Sequence, residues 1–305
     1  MPRGPLVLAA VGVLLALTAT QVTKRIKENS EPSRFDKAFE VLAPNVWRQG
    51  YQWANLGGLV GVDVYTFLIK ADGKYILIDA GAPTSDAAEV LLKGLDDVMN
   101  GSKLQLIMLT HGHPDHSGAL AALVKAYPGA QVVFHEEEAP YLLGHKSYKN
   151  LPADSLAYKA FVRVLVSENN FTEAVPASKA LLLRGKSGDV ADVKGPAGNN
   201  AQWLPRQGTL KWQHVPGHAP GQVALIHKPS QSMIPGDAVA HMAAKAGGTP
   251  EISLPPAGFT WNNTQARLDA LKLASLPFSR AYPSHDLGTG ISKAELDAFA
   301  ASLQA

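Results

Sequence analysis

Between Leu109 and Gly118 the chain reads LTHGHPDHSG, three imidazoles and a carboxylate within the six residues His111 to His116. Side chains two apart at a strand end face the same way, so His111 and His113 can reach one ion. Asp115 and His116 fall on the next turn, where a helix begins, and point to a neighbouring position. Imidazole and carboxylate suit Zn²⁺. Four donors this crowded exceed what one ion takes from so short a stretch, and the spacing predicts two ions roughly 3.5–4 Å apart.

Two ions need more donors than this block supplies. His218 in HVPGHAPG, Asp237 in IPGDAV and His285 in YPSHDLG each follow a predicted strand, in loops carried on a rigid base. One assignment balances the count. His111, His113 and His218 hold the first ion. Asp115, His116 and His285 hold the second, and Asp237 bridges them. A shared hydroxide fills the open position, with Asp115 and Asp237 as the catalytic carboxylates that orient it and are candidates for moving its proton. Asp79, closing YILIDAG, is read as a carboxylate behind the ligands that orients one of them; the alternative is an Asx turn or helix cap. His135, His214 and His227 are expected to be structural.

Composition narrows the chemistry. The 305 residues are 46 % hydrophobic and 18 % charged, with net charge +2 and no cysteine. Such a chain builds a substantial core and offers no thiolate ligand, disulfide, Fe–S cluster or Cys nucleophile. Near-neutral charge and the lack of a basic tract with interleaved aromatics argue against nucleic acid. Leu6–Val22 is uncharged, with Lys24, Arg25 and Lys27 after it. That pattern predicts a signal peptide or membrane anchor, and hence a secreted, secretory-pathway or membrane-anchored protein. Thr23–Arg34 reads as a polar tether, which divides the chain into residues 1–34 and a domain over 35–305. Asn170 and Asn262 head glycosylation triplets.

The elements that must position these residues alternate between strands and helices. Val64–Lys70 and Lys74–Asp79 pair around ADG. A helix with Leu91, Leu95 and Val98 on one face starts near Ser85 as its cap. Leu104–Thr110 is a buried strand, and Leu120, Leu123 and Val124 line a second helix that YPG ends. Further strands are expected at Gln131–His135, Leu210–Val215, Val223–His227 and Ser232–Pro235, with helices at Thr264–Leu273 and Lys293–Leu303. Glu136–Arg206 reads as a helical insert or lid with one helix at Ser155–Val166. The order predicts packed sheets covered by helices.

LIDAG with Asp79, THGHPDHSG, PGHAPG with His218, GDAV with Asp237 and SHD with His285, in this order over about Val41 to Gly290, resemble the metallo-beta-lactamase superfamily. The resemblance implies an α+β, four-layer αβ/βα sandwich with its metals at the edge between two sheets. The presence of His116 and the absence of Cys are similar to the glyoxalase II and lactonase-like branch. Many acyl-homoserine lactonases place a Tyr where this chain has Ala240.

The expected activity is hydrolysis of a small-molecule ester, lactone or lactam by hydroxide bound to two zinc ions. Iron and manganese are the alternative metals. The alternative functions are a thioester hydrolase, an iron-dependent persulfide or thiol dioxygenase, and a non-catalytic metal-binding protein. Trp53, in a glycine-rich apolar stretch, and Tyr141, Leu142, His241 and Met242 are the candidate substrate-binding residues.

Overall fold

The structure is a computed structural model that describes residues 38–55, 60–148, 151–154, 175–193, 201–242, 248–286, 288 and 290–304. Its first sheet has seven strands in the order β1 (Glu40–Ala43), β2 (Val46–Asn55), β3 (Val60–Ala71), β4 (Lys74–Ile78), β5 (Leu104–Met108), β6 (Gln131–His135) and β7 (Ala180–Leu183). The meander β1–β4 is antiparallel, whereas β4 to β7 run parallel. Parallel neighbours need crossovers. Helix α1 (Ser85–Met99) supplies the first, and the four-residue α2 (Pro114–Ser117) with α3 (Leu120–Ala126) supplies the second. The third begins with α4 (Ala139–Leu142).

The second sheet contains β8 (Ser187–Asp189), β9 (Leu210–His214), β10 (Val223–His227), β11 (Ser232–Ile234), β14 (Arg280–Ala281) and β15 (Ile291–Ser292), in the spatial order β15-β14-β11-β10-β9-β8. Strands β12 (Ala240–Met242) and β13 (Glu251–Ser253) form a separate pair. Helices α5 (Asn263–Ala274) and α6 (Lys293–Ser302) follow. Asn262 caps α5 through Gln265 N–H, and Ser292 with Glu295 forms a capping box on α6.

Strand alternation sorts most of the described apolar residues into three large cores. Leu68, Leu77, Ile107 and Phe134 pack with Leu91, Leu95, Leu120 and Leu123 of α1 and α3. Their strand neighbours Phe67, Ile78, Met108 and Val133 point the other way, against Leu210, Trp212, Val223 and Leu225 of the second sheet. Ala224 and Ile226 then face Ala270, Leu273 and Leu296 of α5 and α6. The order is helix, sheet, sheet, helix, as the four-layer expectation requires. Both faces of the central strands are covered, which is why β5 and β10 are apolar apart from Gln105 and His227. Each side chain buried there contributes about 1.5–3 kcal/mol.

Several expectations need adjustment. The cap of α1 is Thr84, whose hydroxyl accepts the Ala87 N–H at 3.2 Å, and Ser85 is the first helical residue. The described part of Glu136–Arg206 is not an all-helical insert, because β7 and β8 extend one edge of each sheet. The helix expected at Ser155–Val166 and the acceptor Asn170 lie outside the described residues.

The N-terminal expectation is corrected. Leu6–Val22 lies outside the described residues, and among the described residues no helix is long and apolar enough to cross a membrane. The signal, the membrane association and the secreted or anchored location inferred from that segment therefore have no structural support and are dropped.

Candidate metal centre

The seven predicted donors meet at one edge of the sandwich, five on loops that leave a strand and two, Asp115 and His116, in the short helix α2. His111 and His113 follow β5, and Pro114 opens α2 at a position where its missing N–H costs nothing. His113, still extended at φ −63° and ψ 153°, is the residue before that helix. The turn is pressed against the loop after β4: the Ala80 N–H donates to His116 O at 2.6 Å and the Gly118 N–H to Gly81 O at 2.7 Å. A Cβ on Gly118 would lie 2.1 Å from Pro83 N, so only glycine permits this approach. His218 lies between β9 and β10. Asp237 follows Gly236, whose φ is +58°, at the exit of β11, and His285 lies in the loop after β14.

The hydrogen bonds fix the ring orientations. His116 Nδ1 donates to Asp79 Oδ2 at 2.9 Å, and His285 Nδ1 to Asp63 O at 2.8 Å. His218 Nδ1 faces Thr260 Oγ1 at 3.3 Å. His111 Nδ1 faces Thr110 Oγ1 at 3.1 Å, and that hydroxyl already donates to Asp79. Four rings therefore have their outer Nδ1 held by a hydrogen-bond partner and turn Nε2 inward, the nitrogen that would face an ion. His113 turns the other nitrogen inward, with Nδ1 2.9 Å from His218 Nε2. The inner carboxylates close the ring of donors. Asp237 Oδ1 is 3.4 Å from His116 Nε2, and its Oδ2 is 3.4 Å from His218 Nε2 and 3.1 Å from His285 Nε2. Asp115 Oδ2 is 3.5 Å from both His116 Nε2 and His285 Nε2.

Three donor triads result, each with all atoms within 4.8 Å of one another: His111–His113–His218, His111–His116–Asp237 and Asp115–His116–His285. The residues fit a metal by an independent criterion. His111 Nε2, His116 Nε2 and Asp237 Oδ1 are buried and have no hydrogen-bond partner. An orphan buried polar atom costs about 1–3 kcal/mol, so three at one point call for a cation between them.

Electrostatics divides the cluster. Burial, with neighbouring imidazoles, depresses His111 well below the usual histidine value. Burial and His218 take His113 down to about 3, and burial takes His218 to about 4 despite Asp237. These three are neutral, ligand-ready rings. On the other side burial is outweighed. Asp237, Asp115 and Asp79 raise His116 well above the usual range, and Asp237 and Asp115 raise His285 to about 10. Asp115 and Asp237 are held well below the usual carboxylate range by His116 and His285, against the effect of burial.

Asp79 sits behind this assembly. It is fully buried at φ +61° and accepts from Thr110 N at 2.7 Å, from Thr110 Oγ1 and from His116 Nδ1. The left-handed backbone, tolerated by Asp better than by most residues, aims its carboxylate at the loop carrying His111 and His116.

The substrate-binding candidates scatter. Tyr141 stacks on Tyr148 at 4.3 Å, and Tyr148 stands edge-on to His113 at 5.3 Å. Leu142 is buried in the helix-side core, a packing position and not a rim. His241 Nδ1 donates to Asp286 Oδ1 at 2.9 Å, and Met242 is half-buried on β12 opposite Glu251. Trp53 pairs through its backbone with Val62 in the β2–β3 hairpin; its side chain lies outside the described structure.

Sequence reasoning missed the groups that hold the loops. Asp286 is fully buried and accepts from Arg48 Nη1 at 2.7 Å, next to His285 in the chain. Asp269 accepts the Gly217 N–H at 2.6 Å, beside His218, and burial raises it to about 6. Glu138 accepts backbone N–H groups from two ligand loops, and burial raises it to about 7 against those bonds. In the sequence Glu138 is the last of three glutamates in a row, a pattern that reads as a solvated surface.

Comparison with known proteins agrees with this geometry. The sequence profile of the metallo-beta-lactamase superfamily matches residues 59–285. A probable metallo-hydrolase, YflN, of Bacillus subtilis is 29 % identical over 213 residues, 66 % of this chain and 71 % of that protein. A hydroxyacylglutathione hydrolase of Anaeromyxobacter dehalogenans is 42 % identical over 79 residues, 26 % of this chain and 28 % of its own length. A metallo-beta-lactamase from Erythrobacter litoralis superposes with a TM-score of 0.58 at 16 % identity, covering 87 % of this chain and 95 % of that one. One from Pontibacter korlensis gives 0.57 at 16 % identity, over 87 % and 98 %. With the profile spanning most of its length and the same fold beneath it, the chain belongs to the metallo-beta-lactamase superfamily.

Proposed function

We propose that residues 35–305 form one metallo-beta-lactamase domain whose centre holds two zinc ions and hydrolyses an ester, lactone or lactam bond of a small molecule. The observation that carries this reading is the convergence of His111 Nε2, His116 Nε2 and Asp237 Oδ1, buried and without hydrogen-bond partners. His111, His113 and His218 would hold one ion and Asp115, His116 and His285 the other, with Asp237 between them. Such ions supply Lewis-acid chemistry, acidifying water and polarising a carbonyl. The chain's own groups do the rest. Asp79 fixes the proton of His116 on Nδ1, and the Asp63 carbonyl fixes that of His285. Asp115 and Asp237, themselves members of the donor set, place two negative charges there and would orient a water between the ions.

Membership of the superfamily and the donor clusters support a hydrolytic enzyme. A thioester hydrolase is the second reading, favoured by the local similarity to hydroxyacylglutathione hydrolases. The test is elemental analysis of the purified protein, followed by a panel of lactones, esters, lactams and thioesters. The expected result is two zinc per chain and turnover of at least one oxygen or nitrogen ester analogue. Bound iron with oxygen consumption on a persulfide would replace this reading by a dioxygenase. Full metal loading with no turnover across the panel would replace it by a binding protein.

A further inference from the structure

The three imidazoles of the first triad come from different sheets. His111 and His113 leave β5 of the first sheet, whereas His218 sits between β9 and β10 of the second. Something must hold the two loops in register, since a displacement of about 1 Å is enough to spoil a metal or catalytic geometry. One backbone bond crosses nearby, from Val223 N–H to Thr110 O at 2.9 Å. The other crossing is made by a side chain.

Glu138 has no solvent exposure. Its Oε2 accepts the N–H of Gly112, the residue between His111 and His113, at 3.0 Å. Its Oε1 accepts the N–H of Gly221, three residues beyond His218, at 2.7 Å. The main chain of Glu138 is itself fixed, because its N–H donates to His135 O and its carbonyl accepts from Tyr141 and Leu142 at the start of α4. The close fit also explains both glycines. A Cβ on Gly221 would lie 2.6 Å from Glu138 Cγ, and one on Gly112 would lie 2.9 Å from Glu138 Oε2 and 2.4 Å from the Tyr148 hydroxyl oxygen.

We propose that Glu138 is a positioning residue: one buried carboxylate clamps the His111–His113 loop to the His218 loop and so sets the geometry of the three-imidazole position. Both of these carboxylate bonds go to backbone N–H groups beside the ligands, so it acts through the loops that carry them. The second triad, Asp115–His116–His285, is held by other groups, Asp79 and the Asp63 carbonyl. The clamp therefore acts on one metal position and spares the other. This inference rests on the two-ion reading above.

The test is Glu138→Gln, which keeps the volume but places an amide NH₂ against one of the two backbone N–H groups. Zinc affinities of wild type and variant are measured by chelator competition, and Co²⁺ is added in parallel to follow its visible absorption. His113→Ala and His285→Ala serve as references for which ion is which. The expected result is a 10- to 100-fold loss of affinity at the position that His113→Ala abolishes, less than about threefold at the other, and a changed cobalt band for the first only. Equal loss at both positions, or no loss at either, would overturn the clamp. Glu138→Asp, too short to reach both loops, is expected to repeat the selective loss. Near-UV circular dichroism of the metal-free variants reports folding, and loss of the fold in both would make Glu138 a packing residue and end the proposal. A wild type that binds fewer than two ions would sink the two-ion reading itself, an outcome distinct from a clamp without effect.

Discussion

The chain holds two buried clusters of histidine, and they do opposite things with their nitrogens. His135 on β6 and His214 on β9 stack face to face at 3.9 Å across the two sheets, with Glu137 beside them. His135 Nε2 donates to Gly185 O at 2.8 Å, its Nδ1 accepts the Glu137 N–H at 3.2 Å, and His214 Nε2 donates to Pro220 O at 2.9 Å. Backbone takes three of the four ring nitrogens. At the metal centre the outer nitrogens of His111, His116, His218 and His285 are taken by side chains or a carbonyl, and the inner ones converge on one another and on the carboxylates of Asp115 and Asp237. A residue count would rank the clusters alike, since His135, Glu137 and His214 also lie within 4.8 Å of one another. Lone-pair direction separates a ligand set from a pair of structural rings.

The sharpest way to break this comparison is to delete the bridge. Asp237→Ala is expected to lower turnover about 10³-fold or more, since a two-ion centre supplies several kcal/mol of barrier lowering. Zinc content is expected to fall from two toward one per chain. His214→Phe, made in parallel, is expected to keep both zinc ions and activity within a fewfold. Elemental analysis with steady-state kinetics reads both variants, and equal losses would erase the distinction between the clusters.

A smaller effect is expected behind the ligands. Asp79→Ala leaves Thr110 N–H and His116 Nδ1 without their acceptor, each worth about 1–3 kcal/mol when buried, and frees the His116 ring. Metal affinity is expected to drop 10- to 100-fold in chelator competition. Unchanged affinity would mean that the fold alone orients His116 and that Asp79 only shapes the turn after β4.

Both sides of this contrast were legible in the sequence, which offered His111 to His116 as donors and His135 and His214 as structural rings; the groups that hold the loops were not. His111 to His116 advertise themselves because four donors sit within six residues. His218, Asp237 and His285 follow once the donor count must balance. The central strands were legible for a similarly local reason: Leu104–Met108 is apolar but for Gln105 because helices cover one face and the second sheet the other. Strands β7 and β8, four and three residues long, lie in a stretch with no periodicity to announce them. Glu138 illustrates the deeper limit. Its burial depends on where β6 ends and where the Gly221 loop passes, neither of which is encoded within three glutamates. The apolar segment Leu6–Val22 shows the converse, a strong local pattern whose membrane reading finds no counterpart among the described helices.

Protonation offers a third comparison, of moderate size. Burial, then His135, lowers His214 to about 4, against roughly 6.5 in the unfolded chain. Between those values the unfolded state binds the proton and the folded state does not. Stability from this group is therefore complete above about pH 6.5 and is lost as pH falls toward 4. The loss is on the order of 2 kcal/mol. Urea unfolding of wild type and His214→Phe at pH 7 and pH 4.5, both stripped of metal, is expected to show the variant losing less stability than wild type by about that amount. Parallel curves would mean that His214 is protonated in the fold, and that the stacked pair is an ionisable site after all.

The smallest effect is the most discriminating for the stacked pair. Glu137 is exposed, and its carboxylate is the donor that would complete a third metal site with His135 and His214. His135 could ligate an ion only by giving up a backbone hydrogen bond at Nδ1 or Nε2, and His214 Nε2 is committed to Pro220 O. Breaking such a buried bond costs about 1–3 kcal/mol before any ion is gained. Glu137→Ala is therefore expected to leave zinc content at two per chain and stability within about 0.5 kcal/mol, the usual range for a surface substitution. A third zinc in wild type that this variant removes would show that backbone capping does not keep a histidine pair from binding metal. The rule used to tell the two clusters apart would then fail.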